Sequence, residues 1–487
     1  MTHSAAVCGA YWQKRKEGDG VTETFQARTA ALDTLLGVGR CFDMTVRSLL
    51  IGGRSARLWV VNGYVQEDVL ERVIALWLSL PTLEGVSGLA EFCARYVSAC
   101  DAETVSDRNE AVMAVLGGKT LLVIDGWAGG ALLDVKRYPT RSVQEPDTSR
   151  VLRGSHDGFV ENLMQNAALL RRRVRDTHLC LERVKLKERS GTDVALCYMA
   201  GEADEDLLAE LRQKLSAIDV GSIAMSQESV AEALSPRQWW NPFPKVRYTE
   251  RPDVATACIM EGDVVVLVDN SPSALLLPTT LLRFNEEIND YYFPPLIGTY
   301  LQLIRTAVLL LTIFVTPLWY LLAKHPADIP AAFRFLLVEG EYHVPLIVQL
   351  LLVELIIDVL KIASLNTPDV LSNSFSMIGA LILGDFAVQA RWLVPEVLVY
   401  MAFVAIANYA QHSYEMGYAA KLCRMLLLIL VWLLDGWGLA LGIAVTLTLI
   451  ATTKPLVGKG YLYPLVPFDG KKLKRLLWRH PISGDNS

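Results

Sequence analysis

Histidine and cysteine are scarce in this sequence, and neither occurs in groups. The 487 residues include seven histidines and eight cysteines, without a CxxC pair and without histidines at ligand spacing beside them. Zinc sites and disulfide frameworks need such side chains in close, regular sets. The sequence therefore predicts no metal site and no disulfide framework. We interpret the cysteines as reduced, mostly buried thiols in a cytosolic compartment.

Motifs of nucleotide-binding and hydrolytic enzymes are missing as well. The sequence contains no Walker loop, no GxGxxG, no HExxH and no GxSxG. The run Gly117-Gly118-Lys119-Thr120 resembles the end of a phosphate-binding loop, but the first glycine of such a loop is absent and a strand follows. We therefore predict no catalytic residues, no cofactor and no enzyme activity.

Charged residues are sparse in one part of the chain only. They are dense up to Asp290 and sparse from Leu296 to Ile450. The first thirty residues lack the apolar core of a signal peptide. The net charge of −6 gives no reason to expect a nucleic-acid partner. About 20 apolar helical residues cross a bilayer core of about 30 Å. We predict an α+β cytoplasmic N-terminal region followed by an α-helical, polytopic membrane domain.

Two similar subdomains are predicted within the N-terminal region. A strand, a glycine, an amphipathic helix and a β-hairpin occur in the same order twice, with Ala56–Gly63 and Gly191–Met199 as the two first strands. Duplication is one interpretation, and the other is that unrelated α/β stretches share this order. The predicted boundaries are a polar segment (1–24), two subdomains (25–150 and 151–293), a membrane domain (294–455) and a basic cytoplasmic tail (456–487).

The number of apolar segments conflicts with the charge pattern around them. Five segments follow Asp290: 299–323, 344–362, 375–390, 394–409 and 425–450. The basic run Lys471–His480 places the C-terminus in the cytoplasm with the N-terminus, which requires an even number of crossings. Either one segment does not span, with Phe375–Ala390 preferred, or the last segment contains a broken hairpin.

Three carboxylates within these segments are candidates for an ion pathway: Glu354, Asp358 and Asp385. Glu354 and Asp358 share one helix face because they are four residues apart. A charged side chain in hydrocarbon costs roughly 2.5–3.5 kcal/mol on insertion scales, so it faces protein or water. One hypothesis is a pore-lining face. The other is that the carboxylates pair with arginine or lysine of a neighbouring helix, or that their helix lies at the membrane interface.

A pair of glycines in the last segment has the spacing of close helix packing. Gly438 and Gly442 are four residues apart, as in GxxxG motifs. Small residues at this spacing let helix backbones approach in lipid, although the spacing is also common by chance. We keep this pair as candidate helix-packing residues.

Several long motifs resemble the A-subunit family of spore germinant receptors. They include NPFPKVRYTERPD (241–253), EGDVVVLVDNSPSALLLPTTL (261–281) and SYEMGYAAKLCR (413–424), and the resemblance extends from about Arg153 to Pro467. Residues of the first motif are carried over as family-motif positions: Asn241, Pro242, Arg247, Thr249, Glu250, Arg251, Pro252 and Asp253. Gly384-Asp385 departs from the Gly-Gln that is common among relatives, which leaves pore details open.

The resemblance implies a germination protein of the spore inner membrane, multi-pass, with a cytoplasmic N-terminal domain. A subunits of this family are expected to oligomerise into an ion channel. The first hypothesis is therefore a homo-oligomeric channel for monovalent cations, with other germination membrane proteins as partners. The second is a non-conducting scaffold or assembly subunit of a receptor complex.

Overall fold

The computed structural model describes most of the chain. The described residues are 24–138, 155–186, 191–218, 225–235, 238, 240–287, 289–329, 331–338, 340–366, 387–411, 413–458, 460–470 and 473–474. Several predictions fall outside them: the polar segment before Thr24, the boundary near 139–154, Asp385 with most of its apolar segment, and most of the basic tail.

The first sheet has five antiparallel strands in the order β1-β2-β4-β5-β3. Its elements in chain order are α1 (Phe25–Leu35), β1 (Met44–Ile51), β2 (Arg54–Val61), α2 (Glu67–Leu78), α3 (Leu89–Tyr96), β3 (Asp101–Val105), α4 (Arg108–Leu116), β4 (Thr120–Ile124) and β5 (Gly130–Asp134). The β1–β2 turn uses Gly52 and Gly53 at φ +50° and +83°, a left-handed conformation that glycine adopts without a Cβ penalty.

Both faces of this sheet are covered, which explains its long apolar runs. Successive residues of a strand point to opposite faces. Leu58 and Leu122 accordingly pack in one core with Trp77. The neighbouring strand residues Trp59 and Leu121 pack in a second core on the other face.

The second sheet has the strand order β6-β7-β9-β10-β8. Its elements are α5 (Leu163–Arg173), β6 (Leu179–Lys185), β7 (Asp193–Met199), α6 (Glu205–Ser216), α7 (Ser226–Leu234), β8 (Arg247–Thr249), α8 (Pro252–Met260), β9 (Val264–Val268) and β10 (Ala274–Leu277). The order of helices and strands, and the order of strands within the sheet, repeat those of the first sheet. This is the arrangement expected of two similar α+β subdomains.

By internal packing the chain divides into two compact units. The first comprises 1–142, 160–183 and 195–201, and the second comprises 143–159, 184–194 and 202–487. The first unit contains the whole first sheet. The second unit contains β8, β9 and β10 and all of the C-terminal helices.

The C-terminal region is helical. After the short helix α9 (Asn289–Tyr292) come α10 (Pro295–Lys324), α11 (Leu346–Asn366), α12 (Pro395–Tyr409) and α13 (Tyr414–Thr452). Within the described residues, α10 and α13 are long and apolar enough to cross a membrane, and α12 is a shorter apolar helix.

Helix α13 is broken at Asp435 and folds back on itself. Asp435 has φ 51° and ψ −130°, which no α-helix accommodates. A Cβ atom on Gly438 would clash with the Leu430 carbonyl oxygen, and one on Gly442 would clash with the Leu427 side chain. In a straight helix these pairs would be about 12 and about 22 Å apart. Residues 414–434 (first arm) and 436–452 (second arm) therefore form a helical hairpin, which was one of the two alternatives for this segment.

Helices α11 and α12 begin at the same end of the bundle, where α10 ends, so α10 runs antiparallel to both. Trp319, near the end of α10, packs in one core with Leu346 and Val397, which lie at the starts of α11 and α12, and Ala387 packs against this core. At the opposite end, the Lys361 ammonium lies 5.3 Å from the ring centre of Tyr409.

Candidate functional site

Four charged side chains meet between α11 and the first arm of α13. The Arg424 Nε lies 2.6 Å and its Nη2 2.5 Å from the Glu354 Oε1. The Lys421 Nζ lies 3.4 Å from the Glu354 Oε2 and also pairs with the Asp358 carboxylate. The Arg424 Nη1 donates to the Thr312 carbonyl of α10 at 2.8 Å. The cluster therefore connects three helices.

Local spacing explains how the cluster assembles. Glu354 and Asp358 are four residues apart on one helix, and Lys421 and Arg424 are three apart on another, so each pair occupies a single face. The Glu354 and Arg424 side chains are only 3% and 1% exposed. Charges this deeply buried are tolerated only when they are paired and hydrogen-bonded. Two carboxylates and two cations satisfy this condition.

Asp358 differs from its neighbours in the cluster. Its side chain is 31% exposed, whereas that of Lys421 is 6% exposed. Its Oδ1 has no hydrogen-bond partner within the part of the chain that the structure describes. Asp358 is therefore the carboxylate of this cluster that retains capacity for a further partner.

The structure describes two of the three predicted pathway carboxylates. Glu354 and Asp358 are paired with Lys421 and Arg424, as in the second hypothesis for these residues. Asp385 lies outside the described residues. The two cations were not among the predicted site residues. The available signal was two basic residues three positions apart inside an otherwise apolar helix.

Gly438 and Gly442 both lie where the two hairpin arms meet. Gly438 faces the Leu430 carbonyl, and Gly442 faces the Leu427 side chain. A hydrogen atom in place of a side chain allows the arms to approach at these two positions. Gly436, by contrast, has no atom within 4 Å of its Cβ position.

The first motif residue, Asn241, joins its loop to the end of the hairpin. Its Nδ2 donates to the Leu449 carbonyl at 3.0 Å and to the Thr453 Oγ1 at 2.8 Å. Its Oδ1 accepts from the Phe243 amide at 3.0 Å. The last carbonyls of a helix lack intrahelical partners, and Asn241 supplies one. Pro242 follows in the same loop.

The remaining motif residues organise the segment around β8 and α8. Arg251 is buried, with its Nη2 2.6 Å from the Asp253 Oδ2 and 2.9 Å from the Ser155 carbonyl. The Thr249 Oγ1 accepts from the Arg251 amide, and the Glu250 carbonyl accepts from the Phe159 amide. Pro252 is the first residue of α8, where its missing N–H costs nothing.

A second group of charges precedes α10. Arg247 pairs with Glu286 at 3.2 Å. Arg305 of α10 is buried and donates to Asp290 at 2.8 Å and to Glu287 at 2.6 Å. The Arg247 pair therefore connects β8 to the residues just before α10. The Arg305 pairs connect α10 to the same residues.

A cavity of about 260 Å³ lies between the motif and the start of α13. Its lining includes Glu228, Glu250 and Glu415, which make it acidic. The Tyr248 hydroxyl donates to the Glu228 carboxylate at 3.2 Å, and burial, followed by the Glu228 charge, raises the pKa of Tyr248 above its usual range. The described residues hold no group of three histidine, cysteine or acidic side chains placed to bind a metal ion.

Comparison with known proteins gives consistent matches over nearly the whole chain. The family model of the Bacillus/Clostridium GerA spore germination protein matches residues 31–487. Stage V sporulation protein AF of Bacillus subtilis is 35% identical, over 91% of this chain and 90% of its own length. Spore germination protein KA of the same organism is 28% identical, over 97% of this chain and 88% of its own.

Among solved structures, the N-terminal domain of the A subunit of the Bacillus megaterium spore germinant receptor GerK3 aligns with a TM-score of 0.41. The alignment has 22% sequence identity and covers 54% of this chain and 97% of that domain. The family match and the relative at 35% identity are sufficient by themselves to assign the chain to a family. This chain belongs to the GerA family of spore germination proteins.

Proposed function

We propose that this chain is a subunit of an oligomeric, germinant-receptor-like channel that conducts monovalent cations across the spore inner membrane during germination. Family membership supports the role in germination. The single observation that carries the ion pathway is a set of charged side chains inside apolar helices. One of them, Asp358, is part-exposed, and its buried Oδ1 has no hydrogen-bond partner among the described residues. Assembly with further copies and with other germination membrane proteins rests on the family resemblance.

The proposal includes a multi-pass topology with a cytoplasmic N-terminal region. The hairpin in α13 converts one apolar segment into two passages. With α10, α11 and α12, the described residues supply five passages. The basic tail requires an even number. The apolar segment predicted at 375–390, which lies mostly outside the described residues, is the sequence candidate for the sixth.

Cysteine labelling tests this topology. Trp437, 84% exposed beside the hairpin break, and Leu50, 61% exposed on β1, are each replaced by cysteine in the full chain. In oriented vesicles, a membrane-impermeant maleimide should label Trp437→Cys and Leu50→Cys from opposite sides. Labelling of both from one side would contradict a membrane-spanning hairpin.

Within the cluster we assign different roles to the carboxylates. Glu354 holds α11 against α13 through Arg424, while Asp358 faces the pathway. In an oligomer, a ring of Asp358 carboxylates would attract cations and exclude anions. Asp385 remains a further pathway candidate from the sequence.

Ion flux from proteoliposomes tests conduction. The reconstituted full chain should release K⁺ faster than empty vesicles. Asp358→Asn should lower the rate or the cation preference while leaving membrane insertion unchanged. Glu354→Gln should instead loosen the bundle, which is measured as faster proteolysis. Full insertion of the unaltered chain without K⁺ flux would contradict the channel.

A non-conducting scaffold or assembly subunit is the second candidate. The pairing of Glu354 with both Arg424 and Lys421 inside one chain favours it, because this pairing leaves no excess negative charge there. A scaffold would co-purify with other germination membrane proteins and show no flux with or without Asp358→Asn. The same vesicle assay therefore separates the two functions.

A further inference from the structure

Two cysteines and an arginine meet in the first compact unit, and none of them has a part in the proposed ion movement. Cys180 lies on β6, and Cys41 lies in the turn that precedes β1. The Phe42 amide donates to the Leu181 carbonyl at 3.0 Å, which holds the turn beside the strand. The Cys41 Sγ lies 3.5 Å from the Leu179 carbonyl oxygen. This backbone pairing brings the two thiols side by side.

Three hydrogen-bonding groups converge on the Cys180 sulfur. They are the Cys41 thiol, the Arg40 guanidinium and the Tyr198 hydroxyl. The Cys41 hydrogen bond, together with Arg40, lowers the pKa of Cys180 below that of an ordinary thiol. The same hydrogen bond, together with burial, raises the pKa of Cys41. Cys180 therefore carries thiolate character, and Cys41 stays protonated beside it.

The other described cysteines of the first unit differ in this respect. Burial raises the pKa of Cys93, Cys100 and Cys197, and no cation is among the hydrogen-bonding partners of these thiols. Thiolate character and a nearby second thiol are what distinguish oxidation-sensitive cysteines from inert ones. Both features coincide at Cys180. Arg40, which covers this sulfur, is itself exposed, so displacement of its side chain admits a small reagent.

We propose that Cys180 is an oxidation site for peroxide-class oxidants and that Cys41 is its resolving partner. The Cys180 thiolate attacks one oxygen of a hydroperoxide, the O–O bond breaks, and the leaving alkoxide or hydroxide takes up a proton. The sulfur is oxidised to a sulfenic acid and the peroxide is reduced. The Cys41 sulfur then attacks Cys180, the S–O bond breaks, and the hydroxyl leaves as water with the Cys41 proton. A Cys41–Cys180 disulfide results.

The disulfide would join the turn before β1 to β6. That turn leads directly into Asp43, which pairs with Arg171 at 2.9 Å. Oxidation would therefore fix the segment that carries this buried pair to β6 by a covalent bond. Thioredoxin-type reductants would release it, because they reduce disulfides.

Peptide mapping of the full-length protein in detergent tests the site. After brief hydrogen peroxide treatment and thiol blocking, a non-reducing digest should contain a linked Cys41–Cys180 peptide. In Cys41→Ser, dimedone should label Cys180 instead, since the sulfenic acid has no resolving thiol. In Cys180→Ser, Cys41 should remain reduced. Arg40→Gln should slow the oxidation several-fold, and Arg40→Lys should slow it less.

The remaining cysteines are the internal control. Cys93 and Cys100 should stay reduced under conditions that oxidise Cys180 completely. Equal oxidation of all described cysteines would overturn the proposal, as would the absence of both the linked peptide and the dimedone adduct. Circular dichroism of each variant separates loss of reactivity from loss of fold. A folded Cys180→Ser variant that still oxidises at Cys41 would also contradict the proposal.

Discussion

Two buried arginine–carboxylate pairs occupy the two kinds of structure in this protein. In the α+β region, Arg171 contacts Asp43 through Nε at 2.9 Å and Nη2 at 3.2 Å. In the helical region, Arg424 contacts Glu354 at 2.6 and 2.5 Å. Each arginine also donates its Nη1 to a backbone carbonyl, that of Leu179 or Thr312. The bonding is similar, although the surroundings are not.

The two pairs differ in the partners of the carboxylate and in the residues that surround the carboxylate in the sequence. Asp43 uses both oxygens for Arg171, whereas Glu354 gives one oxygen to Arg424 and shares the other with Lys421. Glu354 stands in an apolar run and is conspicuous in the sequence. Asp43 stands in a mixed stretch between Arg40 and Arg47, where charged residues are frequent, and is not. A buried charge is therefore recognised from sequence only where a long apolar run surrounds it.

The largest expected effect is the loss of one partner in the helical pair. Arg424→Met leaves Glu354 buried with Lys421 alone, and an uncompensated buried charge costs about 3–5 kcal/mol. Thermal unfolding in detergent should show a large drop in Tm. The double variant Glu354→Leu with Arg424→Met should regain most of it, because no unpaired charge remains. A double variant as unstable as the single one would show that the loss of stability comes from altered side-chain packing and not from the unpaired charge.

The pair in the α+β region should respond in the same direction but less strongly. Asp43→Asn leaves Arg171 partly unpaired and should cost about 3 kcal/mol, at the lower end of the range, because Arg171 keeps its hydrogen bonds to the Asp176 and Leu179 carbonyls. Hydrogen exchange of β1 and β2 in the full chain is the measurement. Unchanged protection in these strands would contradict a stabilising role for the pair.

A third variant tests whether close backbone packing stabilises the helical bundle in addition to the charged pairs. Gly438→Ala places a methyl group against the Leu430 carbonyl and should cost about 1–3 kcal/mol, as overpacking does. Gly436→Ala is the matched control, since nothing lies near its Cβ position. Protease cleavage at the hairpin should increase in the first variant only. Equal cleavage in both would contradict the folded-back hairpin.

The smallest effect belongs to an exposed pair, Asp176 with His178. The His178 amide donates to the Asp176 Oδ1 at 2.8 Å, and this bond lowers the pKa of Asp176. A lowered folded-state pKa stabilises the fold above the unfolded pKa of about 3.9, and this contribution is lost as pH falls through the folded value. Asp176→Asn should lower the free energy of unfolding at neutral pH by less than about 1 kcal/mol, measured as a slight drop in Tm, and should have no effect in strong acid. A loss that persists in strong acid would indicate a packing role.

Hairpins with local turn signals were predictable, whereas strands that depend on a partner were not. The β9–β10 hairpin turns at Asp269-Asn270, and Asn270 adopts φ 59°, which asparagine tolerates well. In contrast, β3 reads Asp-Ala-Glu-Thr-Val and has little strand propensity. It becomes a strand because β5 supplies its hydrogen bonds, with Asp101 opposite Asp134.

The sequence alone determined that the chain has an α+β part and an apolar helical part, because composition and periodicity are local properties. It also placed Glu354 and Asp358 on one helix face. Only the tertiary structure decided what these carboxylates face, since Lys421 and Arg424 come from a helix more than sixty residues away. The return of α13 at Asp435 was likewise decided by packing. An Asp-Gly pair permits a turn, but the close approach of Gly438 and Gly442 to the first arm is what makes that turn a hairpin.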